Sequence, residues 1–384
     1  MENLFDKPVK RRGTGSLKWD VAENELPMWV ADLDFEPAPL VKEAILKRAE
    51  HGVFGYTDIT PEWYSAYQSW WKDRHGFEME KEWLIFTTGV VPAISSIVRK
   101  MTTVAENVVV MTPVYNIFFN SILNNGRNVL ESRLKYENGA YQIDFDDLEK
   151  KTSDPKVKLM LLCNPHNPVG RVWSKQELRQ IGEICIRNNV FVIADEIHCE
   201  LVFLGHEYTP FASISEEFLM NSVTFVSPSK AFNLAGLQIA NIISADANVR
   251  VRIDKAININ EVCDVNPFGV EALMAAYNEG EEWLEELKIY LFANYIYLKG
   301  YFDEYLPEFP VMMLEGTYLV WVDCSVLNQT SAEIVKDLLK KEKLWVNEGS
   351  LYGETGEGFI RINIACPRQR LIEGLNRLKR VLKS

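Results

Sequence analysis

Lys230 is the residue of this chain whose surroundings most clearly favour chemistry. It is the only charged side chain between Glu217 and Asp246, and it follows the apolar run at residues 222–227. Because an apolar setting disfavours the ammonium form, the pKa of this lysine should fall and its amine should become a nucleophile or a base. Such amines form Schiff bases with carbonyl compounds. The alternative is a structural lysine whose stem is buried and whose head group reaches water.

A second predicted strand ends in acidic residues. Asp195 closes the apolar run at residues 190–194 and is followed by Glu196 and His198. A buried aspartate needs a cation or several donors, and a protonated ring nitrogen would satisfy it well. The same acids and histidine are also compatible with a metal site or a general-base pair. The residues therefore indicate a buried ionic site but leave its partner open.

A rigid loop follows the strand that ends at Cys163. Residues 164–170 read Asn-Pro-His-Asn-Pro-Val-Gly, with two X-Pro steps that restrict the backbone and a glycine that permits a sharp turn. Such a loop can present the amide of Asn167 at a fixed place. The alternative is a structural turn in which this amide only satisfies backbone groups nearby.

A strand-to-helix turn at residues 88–94 supplies a fourth candidate. Its sequence, Thr-Gly-Val-Val-Pro-Ala-Ile, places Gly89 ahead of a predicted helix. Free N–H groups and the helix dipole at such a turn suit a phosphate. The signal is unspecific by itself, because many strand-to-helix turns share it.

A parallel sheet is needed to bring these residues together. From about residue 84 the sequence alternates short apolar strands with amphipathic helices, such as the one predicted at residues 174–188. This alternation is typical of an α/β protein with helices on both faces of a mostly parallel, seven-stranded sheet. Ligands of such sheets bind at the carboxyl ends of the strands. The predicted strands are 84–87, 107–112, 128–133, 158–163, 190–195, 223–227 and 239–244.

A second, smaller unit of α+β type is expected after about residue 285. Its predicted elements are a long helix at 287–305, short strands at 311–314, 318–322 and 358–364, and a closing helix at 369–382. The apolar segment 27–35 is expected to pack on this unit. We therefore predict a large domain of residues 45–285 and a small domain of residues 1–44 and 286–384.

Composition limits the classes of partner. The chain of 384 residues carries 41 basic and 54 acidic side chains, a net charge of −13, so nucleic-acid binding is not expected. The start of the chain lacks the apolar segment of a signal peptide. No uncharged stretch of the sequence provides the roughly 20 consecutive apolar residues that cross a bilayer, because polar residues or a proline interrupt each one. A cytoplasmic protein with six reduced cysteines is expected.

The cysteines and histidines form no recognised metal motif. Cys163 with His166, and His198 with Cys199, are spaced unlike any standard zinc motif. The five histidines are also dispersed along the chain. No metal is therefore predicted.

The motifs together resemble those of a known superfamily. The chain resembles the fold-type I pyridoxal-phosphate enzymes, the class I/II aminotransferase superfamily, over nearly its whole length. Within it, the chain is most similar to the branch of cystathionine β-lyases and related carbon–sulfur β-lyases. The closer match rests on three segments, PMWVADLDF at residues 27–35, DEIH at 195–198 and SKAFNLAGLQ at 229–238.

The resemblance implies a pyridoxal 5′-phosphate cofactor and a role for each motif. Lys230 is expected to hold the cofactor as a Schiff base and to act in catalysis. Asp195 is expected to pair with the pyridine nitrogen, and Asn167 and His198 with the ring 3-oxygen. Tyr115 is expected to stack on the face of the ring. The superfamily usually has a tyrosine in place of His198, and an imidazole can supply a similar donor.

Further side chains are implied for the substrate and the phosphate. Arg361 matches the arginine that binds the substrate α-carboxylate, a task that suits a bidentate guanidinium. Tyr56 is expected to reach the phosphate of a neighbouring subunit, so an obligate homodimer with shared sites is implied. The phosphate is expected to lie against Gly89, Val90, Val91, Ser227 and Ser229. The substrate is expected to lie against Val30, Ala31 and Asp32. Further candidates for the pocket are Trp29, Tyr318 and Asn363.

Gln238 departs from the aminotransferase pattern. Aminotransferases carry an arginine here, two residues past the glycine, which contributes to phosphate binding. Since the lyase branch shares the departure, it favours the lyase assignment. Ordinary roles stay open elsewhere: Tyr56 and Tyr115 as half-buried aromatic side chains, and Arg361 as a partner in an inter-strand ion pair.

The resemblance implies α,β-elimination from an amino acid that carries sulfur at Cβ. The expected substrates are L-cystathionine, cystine or other S-substituted cysteines, and the products are a thiol, pyruvate and ammonia. A class I/II aminotransferase is the nearest alternative, because it shares every cofactor contact. A regulatory protein that retains the cofactor is a third alternative, although the chain shows no added DNA-binding module. The preferred thiol is not readable from the sequence.

Overall fold

The computed structural model describes residues 3–137, 139–260 and 264–383, so Cys263 lies outside the described residues. The α-helices are α1 (Pro39–Glu50), α2 (Pro61–His75), α3 (Val90–Met101), α4 (Ile117–Leu123), α5 (Phe145–Thr152), α6 (Lys175–Arg187), α7 (Glu216–Met220), α8 (Ala247–Ile257), α9 (Pro267–Glu279), α10 (Glu281–Tyr305), α11 (Ser331–Glu342) and α12 (Arg368–Leu382). The strands are β1 (Leu26–Pro27), β2 (Leu84–Thr87), β3 (Asn107–Thr112), β4 (Asn128–Arg133), β5 (Lys135–Glu137), β6 (Ala140–Gln142), β7 (Val157–Cys163), β8 (Phe191–Asp195), β9 (Ser222–Val226), β10 (Ala240–Ile243), β11 (Leu319–Asp323), β12 (Leu344–Trp345), β13 (Asn347–Glu348) and β14 (Phe359–Asn363). None of the helices within these ranges has both the length and the apolarity needed to cross a bilayer.

A seven-stranded sheet forms the centre of the protein. Its strand order is β2-β10-β9-β8-β7-β3-β4, and β10 runs antiparallel to both of its neighbours. The remaining neighbours pair in parallel. Each predicted strand of this sheet lies within one residue of its observed ends. The predicted α/β fold with a mostly parallel, seven-stranded sheet is therefore confirmed.

Alternating side chains build a core on each face of this sheet. Val108 and Val110 of β3 point to one face and pack with apolar residues of α3. Val109 and Met111 point to the other face and pack with apolar residues of α6. Because helices cover both faces, the strands read as continuous apolar runs.

Helix α6 shows how local sequence sets the start of an element. The Ser174 hydroxyl accepts from the Glu177 N–H at 3.2 Å, and the Glu177 carboxylate accepts from the Ser174 N–H at 2.8 Å. This reciprocal capping box satisfies two N–H groups that the helix leaves free. Leu178, Ile181 and Ile184 then recur at helical spacing and are buried.

A smaller antiparallel sheet follows the long helix α10. Strand β14 lies between β11 and β13, α11 packs beside it, and α12 packs against α11 and α10. The N-terminal segment also joins this unit. The Met28 N–H donates to the Trp345 carbonyl at 2.8 Å, and the Asn363 N–H donates to the Met28 carbonyl at 2.9 Å. The bounds of the two domains stay a prediction.

The prediction of a strand at residues 311–314 is wrong. Val311 forms a single bridge with Val322, and the chain then leaves the sheet. The Glu315 N–H instead donates to the Gly170 carbonyl at 2.9 Å. Within the segment, the Met312 N–H donates to the Trp321 carbonyl at 3.0 Å and the Met312 carbonyl accepts from the Tyr295 hydroxyl at 3.2 Å, so the chain turns toward the loop after β7 only at Glu315.

A buried ionic cluster fastens the start of the chain to α12. Asp34 accepts hydrogen bonds from four side chains, namely Arg11 (2.6 Å), Lys18 (3.1 Å), Trp19 (2.8 Å) and Arg370 (2.9 Å). Burial alone would raise the pKa of Asp34, but the three cations and the indole N–H hold it below its ordinary value. The protein thus compensates this buried carboxylate fully.

Gly349→Ala should destabilise the loop at residues 349–358. A methyl group here would lie 2.0 Å from the Gly356 carbonyl oxygen and 2.6 Å from that of Phe359, and backbone atoms cannot give way cheaply. We expect urea denaturation to show a loss of about 1 to 3 kcal/mol in the free energy of unfolding. The control is Gly300→Ala, which meets open space on α10. A Gly349→Ala protein as stable as the wild type would contradict this close approach.

Candidate active site

Three neighbouring strands deliver polar side chains to one edge of the central sheet. Strands β7, β8 and β9 run in parallel, and Asn167, Asp195 and Lys230 lie at or beyond their carboxyl ends. Strands β8 and β9 are parallel neighbours, so Asp195 and Lys230 emerge at the same edge, and the charge of each acts on the pKa of the other. Residues that are far apart in sequence are thus brought together.

Lys230 is partly buried. Its Nζ donates a hydrogen bond to the Ala31 carbonyl at 2.9 Å. Burial, reinforced by the positive charge of Arg361, lowers the pKa of Lys230 to about 8. The charges of Asp32 and Asp195 act in the opposite direction and only partly offset this shift. A large share of the amine is therefore neutral near pH 8 and can act as a nucleophile or base.

Asp195 is a buried carboxylate with few partners. Its Oδ1 accepts a hydrogen bond from the Ile197 N–H at 3.2 Å, and no residue within the described ranges forms a salt bridge with it. Burial raises the pKa of Asp195 to about 7, although the Ile197 N–H and Lys230 act to lower it. A cationic ring nitrogen would offset the burial of this carboxylate, so the site fits a pyridinium group.

Arg361 lies beside Asn167 and has an unused donor. Its Nη1 donates to Asn167 Oδ1 at 3.1 Å, and its Nη2 donates to the Trp29 carbonyl at 2.9 Å. The guanidinium stands over the Tyr352 ring, 5.0 Å from the ring centre. Its Nε is buried without a hydrogen-bond partner, and no carboxylate of the described chain pairs with it. Arg361 therefore forms no inter-strand ion pair within the described chain, and its free donors suit the carboxylate of a ligand.

His198 and Tyr115 complete the buried part of the site. Burial lowers the pKa of His198 to about 3, and Lys230 and Arg361 add to the shift, so the imidazole is neutral. Its Nδ1 is buried without a hydrogen-bond partner. Burial, with a contribution from Asp195, raises the pKa of Tyr115 to about 12, so the phenol stays protonated. Both rings therefore enter the site as neutral groups.

The start of α3 is the predicted phosphate site. Gly89 occupies the N-cap position, and no side chain caps the helix. The N–H groups of Val90 and Val91 therefore remain for an anion. The Ser227 hydroxyl already donates to a backbone carbonyl at 2.6 Å and accepts from the Ser229 N–H at 3.1 Å. A role for these two serines toward phosphate stays a prediction.

The backbone of Val30, Ala31 and Asp32 runs along the site. The Asn363 amide donates to the Val30 and Asp32 carbonyls at 2.5 and 2.8 Å. The Tyr318 hydroxyl donates at 3.0 Å to the Ala31 carbonyl, which also accepts from the site lysine. The structure thus brings this predicted substrate segment against the lysine through its main chain.

Two predicted residues are placed apart from the others. The Asp32 carboxylate turns to the N-terminal segment, where it pairs with Arg11 at 2.6 Å and Lys18 at 3.2 Å. Tyr56 is 97% exposed in the loop between α1 and α2, so it does not enter the site of its own chain. Their roles toward a substrate and a neighbouring phosphate stay predictions.

Sequence reasoning missed two residues that support Arg361. Asn347 donates to the Trp29 carbonyl at 3.1 Å and to the Tyr352 hydroxyl at 3.0 Å. Asn347 lies directly opposite Arg361 in the pairing of β13 with β14. No pattern in the sequence marks either Asn347 or Tyr352, because strand pairing and loop contacts are not visible in periodicity.

One cluster has the geometry of metal ligands but is already occupied. His75, Cys199 and Glu200 each place a ligand atom within 4.8 Å of the others. Glu200 is in hydrogen-bond contact with four side chains, namely Trp70 (2.7 Å), Arg74 (3.0 Å), His75 (2.8 Å) and the thiol of Cys199 (3.9 Å). A guanidinium on the carboxylate disfavours a metal cation there. We interpret the cluster as an ion-pair network between α2 and the turn after β8.

The fold and the site together define a class of protein: an α/β protein with a partly buried lysine and a buried aspartate and arginine at the carboxyl edge of a mostly parallel sheet. Residues 24–378 match the aminotransferase class I and II family. The chain belongs to this family, and the predicted superfamily is confirmed.

Several relatives resemble the chain over its full length. It is 42% identical to cystathionine beta-lyase PatB of Bacillus subtilis, over 98% of this chain and 99% of that protein. Cystalysin from Treponema denticola, whose structure contains pyridoxal 5′-phosphate, has a TM-score of 0.97 and 36% identity over 100% and 99% of the two chains. A C–S lyase from Staphylococcus hominis with bound pyridoxal phosphate has a TM-score of 0.94 and 34% identity over 100% and 99%.

Asp195→Asn should stabilise the cofactor-free protein at alkaline pH. The pKa of Asp195 is about 7 in the folded chain and about 4 in an unfolded chain, so the folded chain binds the extra proton between these pH values. The contribution of Asp195 to the free energy of unfolding is therefore fully present below about pH 4 and is lost as the pH rises through 7. In urea denaturation we expect the variant to gain about 2 to 4 kcal/mol over the wild type at pH 8, and no gain at pH 4.

Asp34→Asn is the matched control for this experiment. Its carboxylate is equally buried but surrounded by cations that lower its pKa, so the substitution should cost stability at pH 8. Equal stability of Asp195→Asn and wild-type proteins at both pH values would contradict an uncompensated charge at position 195.

Proposed function

We propose that this chain is a pyridoxal-phosphate-dependent carbon–sulfur β-lyase. Its substrates are L-cystathionine, cystine or related S-substituted cysteines, which react with water to give a thiol, pyruvate and ammonia. The observation that carries the proposal is the common site of Lys230, Asp195 and Arg361, which unites a base, an unpaired acid and a carboxylate binder. The cystathionine β-lyase and the C–S lyase among the relatives support it.

The residues of the site fit the cofactor on several sides. Asp195 would receive the ring nitrogen, while Asn167 and His198 would face the ring 3-oxygen. Tyr115 would cover a face of the ring, and the N–H groups at the start of α3 would receive the phosphate. Lys230 would hold the cofactor covalently. When bound, the cofactor supplies an electron sink for negative charge that develops at the substrate Cα.

Arg361 and Lys230 divide the work on the substrate. Arg361 binds the α-carboxylate with the donors that Asn167 and Trp29 leave free, and it thereby orients the Cα–H bond. The Nζ of Lys230 takes the Cα proton, which its lowered pKa of about 8 permits. The Ala31 carbonyl lies in place to accept a hydrogen bond from the resulting ammonium group.

The protein loaded with pyridoxal 5′-phosphate should release pyruvate from L-cystathionine without a keto-acid acceptor. Lys230→Ala protein should remain folded but lose this release by about 10²- to 10⁴-fold, because the amine that moves the Cα proton is missing. A coupled lactate dehydrogenase assay measures the pyruvate, and the control is Lys42→Ala on the exposed surface of α1.

Other product patterns would overturn the lyase proposal. Turnover that depends on an added keto acid would identify an aminotransferase, the activity for which the matched family is described. Bound cofactor without either product would indicate a binding or regulatory role. Retained pyruvate release by Lys230→Ala protein would contradict the role of the lysine.

We also propose a homodimer with shared active sites. The exposed side chains of Val53 (63%), Phe54 (57%) and Tyr56 (97%) form an apolar stretch that a second copy would cover. Tyr56 would then reach the phosphate of the neighbouring site, which fits its position away from the site of its own chain.

Two further assignments complete the proposal. A large domain of residues 45–285 would hold the cofactor, and a small domain of residues 1–44 and 286–384 would supply Arg361. The five cysteines that the structure describes are free thiols, which suits an enzyme of the reducing cytoplasm.

Tyr56→Phe should weaken cofactor retention by about 10-fold, because a hydroxyl that donates to the phosphate from the neighbouring subunit is lost. Dialysis followed by absorbance of the remaining cofactor measures this loss. The control is Tyr305→Phe, which removes another hydroxyl from a partly exposed position at the end of α10.

Mixed dimers give a sharper test of the shared site. Chains with Lys230→Ala and chains with Tyr56→Ala should be less active alone than when combined, because each mixed dimer would contain one intact site. An absence of recovery in confirmed mixed dimers, or unchanged retention in Tyr56→Phe protein, would contradict the crossing contact.

A further inference from the structure

Glu196 is a second buried carboxylate, directly after Asp195 but turned away from the site described above. Its N–H continues the sheet ladder by donating to the Phe225 carbonyl at 3.0 Å. Successive side chains of an extended chain point to opposite sides, so the two carboxylates lie on opposite sides of the same backbone. Glu196 is completely buried.

The hydrogen-bond partners of Glu196 are all uncharged. Its carboxylate accepts from the Asn164 amide at 3.1 Å, the Phe211 N–H at 2.9 Å and the Tyr208 hydroxyl at 2.5 Å. No lysine, arginine or histidine within the described ranges forms a salt bridge with it. Burial raises the pKa of Glu196 to about 7, and the three donors only partly offset that shift.

Glu200 is a nearby buried carboxylate whose charge is compensated. It is buried like Glu196, but Arg74 and His75 contact it. Although burial acts to raise it, the pKa of Glu200 is lowered to about 2, mainly by these two side chains. Glu196 has no such cation in the described chain, so the charge of its ionised form is uncompensated and interacts with that of Asp195, which also acts to raise the pKa of Glu196.

Asn164 holds the two neighbouring acids in a fixed relation. Its N–H donates to the Asp195 carbonyl at 3.0 Å, and its side-chain amide donates to Glu196. A cation that binds to Asp195 is therefore attracted by two nearby carboxylates rather than by one. Within the described part of the chain neither carboxylate forms a salt bridge, and the positive charge of Lys230 only partly offsets the burial of Asp195, so a cationic ligand would supply the missing compensation.

We propose that Glu196 is a positioning residue whose negative charge strengthens the attraction of the Asp195 site for a cationic ring nitrogen. The inference rests on the proposed function, because pyridoxal phosphate is the ligand that brings this nitrogen. Glu196 touches neither the ring nor the substrate, and it acts through Asp195.

Glu196→Gln is the test variant, because it removes the charge and keeps the size and the ability to accept from Asn164 and Phe211. Its dissociation constants are measured in absorbance titrations with pyridoxal 5′-phosphate and with 1-deazapyridoxal 5′-phosphate, which has C–H in place of the ring nitrogen. Affinity for pyridoxal phosphate should fall by about 10-fold, the scale of one buried charge acting on a neighbour. Affinity for the deaza analogue should change by less than about 2-fold, because it carries no ring cation.

Glu200→Gln is the matched control, since it also neutralises a buried glutamate but one that is paired with cations. It should lower thermal stability without changing the ratio of the two affinities. An equal loss for both cofactors in Glu196→Gln protein, or no loss for either, would overturn the inference.

If Glu196→Gln protein fails to fold, a second variant still tests the inference. Glu196→Asp keeps the charge on a shorter stem, so it must keep the wild-type preference for pyridoxal phosphate over the deaza analogue. Loss of that preference would overturn the inference. Failure of the wild-type protein to take up pyridoxal phosphate would instead contradict the proposed function, so the two failures are distinguishable.

Discussion

The properties of this site depend on charged side chains whose charges are only partly compensated by the protein. Asp195 and Arg361 are buried and Lys230 is partly buried, yet each lacks some of the partners that would compensate its charge. The lysine and the aspartate therefore titrate near neutral pH. The same chain surrounds Asp34 with three cations, so it has the means to compensate a carboxylate. The contrast indicates that the unpaired charges at the sheet edge are kept for a ligand.

The direction of the strands makes this concentration of charge possible. Because β10 is antiparallel to both β2 and β9, strand β2 runs in the same direction as β7, β8 and β9. The start of α3, which follows β2, therefore opens at the same edge as the lysine and the aspartate. Helices on both faces bury the remainder of the sheet, so this edge is where ligand chemistry can take place.

Much of this arrangement was predictable from the sequence, and the rest depends on pairings between distant segments. Strand positions follow from continuous apolar runs, and strand-end residues such as Asp195 and Lys230 follow from the rule for parallel sheets. The antiparallel direction of β10 has no signature in periodicity. The support of Arg361 by Asn347 depends on strand pairing. The segment predicted as a strand at residues 311–314 forms only one bridge, because the chain then turns toward the loop after β7, where the Glu315 N–H bonds to Gly170.

The segment from Trp29 to Leu33 is held in place by hydrogen bonds to its main-chain carbonyls. Each successive carbonyl accepts a hydrogen bond from a side chain, the donors being Arg361, Asn363, Lys230, Asn363 and Asn233 in turn. A carbonyl is common to every amino acid, so exchanges of the side chains at positions 30 and 31 would leave this set of bonds in place. The side chains at positions 30 and 31 can therefore change during evolution while Lys230 and Arg361 keep the carbonyls that they bind.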